Sequence, residues 1–239
     1  MRAVLAVLAA CVVVLALPGS ARAVDVPVPT CNPAPANCSG WYRTNVTVTW
    51  SFGAATPLDC TLMTVTSDTP GQQVSCKVLS EGTEYTTTVT IKRDATPPQM
   101  TGATPARGPD SGGWYNQPLS VGFAGTDALS GIASCSTPTY GGGDGASVTI
   151  GGTCTDVAGN TSAAMGYGIK YDGTAPTVAA TPDRAPDTRQ GGYRRPVTVS
   201  FSGADALSGV AACTEARRYA GPDRAEVELG GTCRDAAGN

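Results

Sequence analysis

Three stretches of the chain alternate apolar and polar residues, each with its largest apolar side chain third. Val46, Val48 and Trp50 alternate with Thr47, Thr49 and Ser51. Leu119, Val121 and Phe123 alternate with Ser120, Gly122 and Ala124, and Val197, Val199 and Phe201 with Thr198, Ser200 and Ser202. A period of two turns one face of each run inward and predicts a half-buried strand. After the second run come Ile132 and Cys135, then Val148 and Ile150, then a Gly-Gly turn into a strand carrying Cys154, and last the alternating Met165, Tyr167, Ile169 and Tyr171. After the third run come Val210 and Cys213, Val227 and Leu229, and a Gly-Gly turn into Cys233. Tyr85, Thr87, Val89 and Ile91 close the first set in the same way. Turn residues separate the runs, and no useful length of chain keeps a period of 3.6. The expectation is all-β: antiparallel sandwiches of roughly seven short strands each.

The pattern repeats because the sequence repeats. Gly113-Trp114-Tyr115-Asn116-Gln117-Pro118 returns as Gly192-Tyr193-Arg194-Arg195-Pro196. Asp127-Ala128-Leu129-Ser130-Gly131 returns as Asp205-Ala206-Leu207-Ser208-Gly209, and Gly151-Gly152-Thr153-Cys154 as Gly230-Gly231-Thr232-Cys233. Asp156-Val157-Ala158-Gly159-Asn160 returns as Asp235-Ala236-Ala237-Gly238-Asn239. A fainter copy upstream holds Trp41-Tyr42, Cys60 and Cys76. So long a period describes whole small domains rather than solenoid turns. Asp94-Ala95-Thr96-Pro97-Pro98 and Asp172-Gly173-Thr174-Ala175-Pro176 end the first two copies, and such proline-restricted links are short and semi-rigid. The expected boundaries are a divergent module over 41–98, a second over 99–176 and a third over 177–239, preceded by a Pro-rich segment over 24–40. The third copy stops at the residue matching Asn160 and lacks the final strand. We expect a truncated module there; the other reading is a sheet edge open to a partner strand.

Residues 1–23 read as a secretory signal peptide: Met1-Arg2, an apolar run from Ala3 to Leu17, then Ala21-Arg22-Ala23 before the cut. Leu8-Ala9-Ala10-Cys11 resembles a lipobox, but the apolar run continues past Cys11, so simple export to a secreted or cell-surface location is expected. No later stretch is long enough to span a membrane, so the mature chain is expected to have no transmembrane segment. Eight cysteines remain after cleavage, and an even number in an exported chain implies disulfides. One pair per copy gives Cys60–Cys76, Cys135–Cys154 and Cys213–Cys233, with Cys31–Cys38 as a local loop in the Pro-rich segment. The three module bonds are expected to be cross-strand staples. Modules of about 75 residues sit near the lower limit for an independent core, and closing a loop of 15–20 residues contributes roughly 3 kcal/mol.

The chain has no histidine. That excludes Ser-His-Asp and Cys-His nucleophiles and imidazole metal ligation. A net charge of −3, with only Arg189, Arg194-Arg195 and Arg217-Arg218 clustered, is no footprint for nucleic acid. Neither a catalytic residue nor a cofactor is expected, and the chain reads as no enzyme.

The Gly-Trp-Tyr…Pro, Asp-x-Leu-Ser-Gly, Gly-Thr-Cys-x-Asp-x-Ala-Gly-Asn and Asp-x-Thr-Ala-Pro motifs together resemble the bacterial immunoglobulin-like repeats of secreted and surface proteins. The resemblance is strong for the second and third copies; the first lacks Asp-x-Leu-Ser-Gly and has Ser80-Glu81-Gly82 where Asp-x-Ala-Gly-Asn is expected. It implies tandem immunoglobulin-like β-sandwich modules acting as a stalk or adhesion segment, with a carbohydrate- or wall-binding accessory module as the alternative and a surface glycan or another protein as partner. Asp127, Asp156, Asp205 and Asp235 recur in loops near one module end. They are calcium candidates, although capping of a Gly-Asn turn accounts for them more simply. Trp41 and Trp114 are candidate ligand contacts, with packing as the simpler role. Asn37, Asn45 and Asn160 match a glycosylation pattern expected to be silent in a bacterial protein.

Overall fold

The structure, a computed structural model, describes residues 24–239; the signal peptide expected over residues 1–23, and Cys11 with it, lies outside the described residues. The described residues form strands and no helix, so none of them lies in a helix long and apolar enough to cross a membrane. The chain divides into two units. One holds the described residues up to Cys38, Thr47–Met63 and Gln73–Thr90; the other holds Ser39–Val46, Thr64–Gln72 and Ile91–Asn239.

In the first unit the strand Val28–Asn32 pairs antiparallel with the run Val46–Ser51, Cys31 opposite Val48. Thr56–Asp59 pairs with Thr69–Ser80, Asp59 opposite Lys77. That register brings Cys60 beside Cys76, and the two are bonded. Cys76 and Val78 form a small buried cluster with Ala55, against which Trp50, Phe52 and Tyr85 pack. Cys31 and Cys38 are joined within the Pro-rich segment.

The second unit contains the second and third copies. The second copy has seven strands: Gln99–Pro105, Leu119–Thr126, Ile132–Cys135, Thr139–Tyr140, Gly145–Gly152, Cys154–Asp156 and Met165–Tyr171. Three sheets result. Leu119–Thr126 lies between Gln99–Pro105 and Thr139–Tyr140, Ile132–Cys135 pairs with Cys154–Asp156, and Gly145–Gly152 pairs with Met165–Tyr171. The period-two run turns Leu119, Val121 and Phe123 inward, where they meet Tyr115, Ile150, Ile169 and Tyr171 in one sandwich-like core. Burying side chains of this size contributes about 1.5–3 kcal/mol each.

Cys135 stands directly opposite Cys154, and Cys213 opposite Cys233, so both bonds staple neighbouring antiparallel strands. The repeated glycines make room for this arrangement. A Cβ on Gly152 would lie 2.2 Å from the Phe123 ring, and one on Gly231 2.5 Å from Phe201. A Cβ on Gly125 or Gly203 would meet the sulfur of Cys154 or Cys233 at 3.0 or 2.8 Å. Four disulfides suit an oxidising compartment.

The third copy has five strands: Thr177–Pro182, Val197–Ala204, Val210–Cys213, Arg217–Tyr219 and Cys233–Asp235. Val227 and Leu229, expected in a strand by analogy with Val148 and Ile150, lie in irregular chain instead. The reason is pairing. Gly145–Gly152 is a strand because Met165–Tyr171 lies against it, Val148 opposite Ile169 and Ile150 opposite Tyr167. Among the described residues no strand lies against Val227–Leu229, and a lone extended run has no ladder to join.

Candidate functional site

Both proline-restricted linkers lie in the second unit, and one set of contacts is built around each. The N–H of Asp94 donates to the Tyr42 carbonyl at 2.8 Å, and that of Asp172 to the Tyr115 carbonyl at 2.9 Å. In both places the chain before the linker runs parallel to the Trp-Tyr segment: Tyr42 opposite Arg93, Tyr115 opposite Tyr171. Each linker aspartate then folds back on its own turn. Asp94 accepts from the Thr96 N–H at 3.0 Å and Asp172 from the Thr174 N–H at 3.2 Å.

The copy that follows grips the same aspartate. The Ser130 N–H donates to Asp94 at 3.0 Å, and the Ser208 N–H to Asp172 at 3.0 Å. The Asn160 side-chain amide donates to the Asp94 carbonyl at 2.9 Å and to Asp156 at 2.8 Å; Asn239 donates to the Asp172 carbonyl at 2.8 Å and to Asp235 at 2.9 Å. Asn160 reaches the linker because Gly159 takes φ 92° and Gly238 φ 99° at the matching turn, a left-handed conformation that glycine adopts freely. The glycosylation pattern at Asn160 therefore falls on an amide engaged in two hydrogen bonds. From the preceding copy, Asp68 accepts from the Ala95 N–H at 2.9 Å and the Thr96 hydroxyl at 2.7 Å; Asp144 accepts from the Gly173 N–H at 2.7 Å and from the Thr174 hydroxyl.

The calcium candidates are drawn into these clamps. Asp127 and Asp156 meet Asp94, and Asp205 and Asp235 meet Asp172, each trio offering carboxylate oxygens within 4.8 Å of one another. Asp94, Asp156, Asp172 and Asp235 are buried. Oxygens so spaced fall within the reach of one calcium shell. The same carboxylates also perform the turn capping expected of them. Asp127 accepts from the N–H groups of Leu129 and Gly131, and Asp205 from those of Leu207 and Gly209. Asp156 accepts from the Asn160 N–H, and Asp235 from the N–H groups of Gly238 and Asn239.

Burial pushes the Asp127 carboxyl up, but the N–H groups of Gly131, Leu129 and Ser130 outweigh that and hold it below the usual carboxylate range. The Thr96 hydroxyl and Ala95 N–H, with the Arg93 guanidinium, hold Asp68 low, and the Gly173 N–H and Thr174 hydroxyl hold Asp144 low.

Sequence reasoning placed Asp127, Asp156, Asp205 and Asp235 in these loops and missed Asp94, Asp172, Asp68 and Asp144. The recurrence of aspartate at the head of both linkers was the available signal. Of the ligand-contact candidates, Trp114 is buried with the Lys170 ammonium 5.6 Å from its ring centre, and Trp41 is half-buried with Lys92 at 5.8 Å. No protein-family model matches the chain, and no curated protein matches it.

Proposed function

We propose that the chain is an exported structural and interaction protein, built of tandem immunoglobulin-like modules and serving as a stalk or adhesion segment. The observation that carries this reading is the duplicated clamp. A linker that only tethers two domains needs no buried aspartate. Here each linker aspartate is held by its own turn, by the serine of an Asp-x-Leu-Ser-Gly loop and by the asparagine of an Asp-x-Ala-Gly-Asn turn. The Thr and Ser N–H bonds to each carboxylate contribute about 1.5–3 kcal/mol apiece and the asparagine bond to the aspartate's backbone carbonyl about 0.5–1.5 kcal/mol, and together they favour one linker conformation. Fixed spacing between the second and third copies is what a stalk supplies.

Backbone relaxation of the exported chain tests this. Residues 94–98 and 172–176 are expected to show order parameters near the ~0.85 of rigid backbone. Asp94→Ala should loosen the first linker alone and Asp172→Ala the second alone. Order parameters below about 0.6 at both wild-type linkers would remove the basis for the stalk.

A further inference from the structure

In each Asp-x-Ala-Gly-Asn turn the glycine leaves a space facing the preceding copy, and an arginine occupies it. At the first junction that arginine belongs to the preceding copy. Arg43 follows Tyr42, which pairs beside the linker, and its Nη1 donates to the Gly159 carbonyl at 3.1 Å. A Cβ on Gly159 would stand 4.0 Å from that nitrogen. At the second junction Asn116 follows Tyr115 in place of Arg43. The arginine comes instead from the turn's own strand: Arg234 stands between Cys233 and Asp235, where the second copy has Thr155. A Cβ on Gly238 would lie 3.0 Å from Arg234 Nη2 and 3.4 Å from the Asn116 side-chain nitrogen. Gly159 and Gly238 share one backbone conformation, φ 92° and 99°, so the two guanidinium groups reach the same place on the turn. That place is narrow. Ser111 approaches the same Cβ position at 3.4 Å, and a Cβ on Gly112 would lie 3.0 Å from the Ala236 carbonyl oxygen.

We propose that this space is a docking code between neighbouring copies. It accepts one guanidinium, so the residue after the tyrosine of one copy must match the residue inside Cys-x-Asp of the next. Arg43 fits Thr155, and Asn116 fits Arg234. Each pair sets a long cation against a short neutral side chain, with the two roles exchanged. An Arg43-type copy set against an Arg234-type turn would put two cations in a space that holds one. Like charge across an interface rejects the wrong partner, and such rejection is what specificity needs beyond attraction. The partner that each face takes follows from this. The Asn116 end of the second copy fits a turn that carries arginine, and its Gly159 turn fits a copy that carries arginine after tyrosine. The inference stands on contacts at the two junctions and not on the stalk reading. Linker order parameters test that reading and amide exchange tests this one, so their failures are distinguishable.

The probes are the Ser130 and Ser208 amides of the exported chain, whose N–H groups bond to Asp94 and Asp172 across the junctions. Asn116→Arg puts a second arginine at the second junction and should speed Ser208 exchange at least roughly threefold, the scale of one exposed charge pair. Thr155→Arg should do the same to Ser130. Adding Arg234→Thr to Asn116→Arg gives the second junction the pairing of the first. Adding Arg43→Asn to Thr155→Arg gives the first the pairing of the second. Each double variant should return its serine to the wild-type rate, a coupling that independent sites do not show. Amides of residues 119–126 and 197–204 should keep their wild-type rates throughout, which separates loss of docking from loss of the fold. Unchanged serine exchange in the single variants overturns the code. So do double variants that exchange as fast as their singles. Strand amides that accelerate equally with the serine also overturn it, because the effect then lies in the copy's own core.

Discussion

Gly152 carries no side chain, and the second copy's core depends on that. The ring of Phe123 occupies the space a Cβ would need, 2.2 Å away, and the ring is itself buried. Ring and added methyl cannot share the site unless the strand Leu119–Thr126 or the Gly-Gly turn shifts. Gly152→Ala should therefore destabilise the second copy by about 1–3 kcal/mol, the usual cost of overpacking a tight core. Gly231→Ala makes the same clash with Phe201, but that ring is only half-buried and can move aside. Its cost should be smaller. Urea titrations followed through the amides of residues 119–126 and 197–204 measure both. A Gly152→Ala chain as stable as the wild type would show that the Gly-Gly-Thr-Cys motif serves the turn and not the aromatic ring.

The strands show why some features can be read in a sequence and others cannot. Leu119, Val121 and Phe123 turn inward because period-two alternation is a local property, and the cysteine pairs follow from one pair per repeat. Peptide mapping without reduction should accordingly recover Cys60–Cys76, Cys135–Cys154 and Cys213–Cys233; a Cys135–Cys213 peptide would reject the staple arrangement. Replacing Cys135 and Cys154 by alanine should lower the stability of the second copy by roughly 3 kcal/mol, as loops of this length predict. The alternation of Val227 and Leu229 is equally local, yet no strand forms there, because a ladder depends on a partner that the alternation does not encode. The linker clamps are hidden for a related reason. Ser130 reaches Asp94 across 36 residues and Asn160 across 66. Only the recurrence of aspartate at positions 94 and 172 hinted at a shared role, and nothing in the local pattern of residues around Asp68 or Asp144 indicates that they cap the linkers. Trp114 was legible as apolar and near a strand; its burial beneath Lys170 requires the parallel approach of Tyr115 to Tyr171.

For the molecule, unequal cover over two like strands implies unequal local protection. Local opening costs little where few apolar contacts and few paired backbone groups hold a segment. In the second copy, Leu119–Thr126 is covered by Ile150, Ile169 and Tyr171, and its Leu119, Val121 and Phe123 are buried. In the third, Val197 is buried, but Val199 and Phe201 are only half-buried, and among the described residues no strand matches Gly145–Gly152 or Met165–Tyr171. Both strips have the same neighbours on their own sheet, Gln99–Pro105 with Thr139–Tyr140 and Thr177–Pro182 with Arg217–Tyr219. Each strip thus has a paired strand on either edge, with one further bond in the second copy from the Phe123 N–H to the Ser136 carbonyl at 3.1 Å, and the larger difference between them is the cover. Amides of residues 197–204 should exchange with solvent at least about tenfold faster than the equivalent amides of residues 119–126, a difference of ~1.4 kcal/mol in opening free energy. The disulfide Cys213–Cys233 and the clamp at Asp172 are present in the third copy as their counterparts are in the second, so neither accounts for such a gap. Equal protection in the two strips would mean that the staple and the flanking strands alone hold the third copy together, and that the uncovered face carries no energetic penalty.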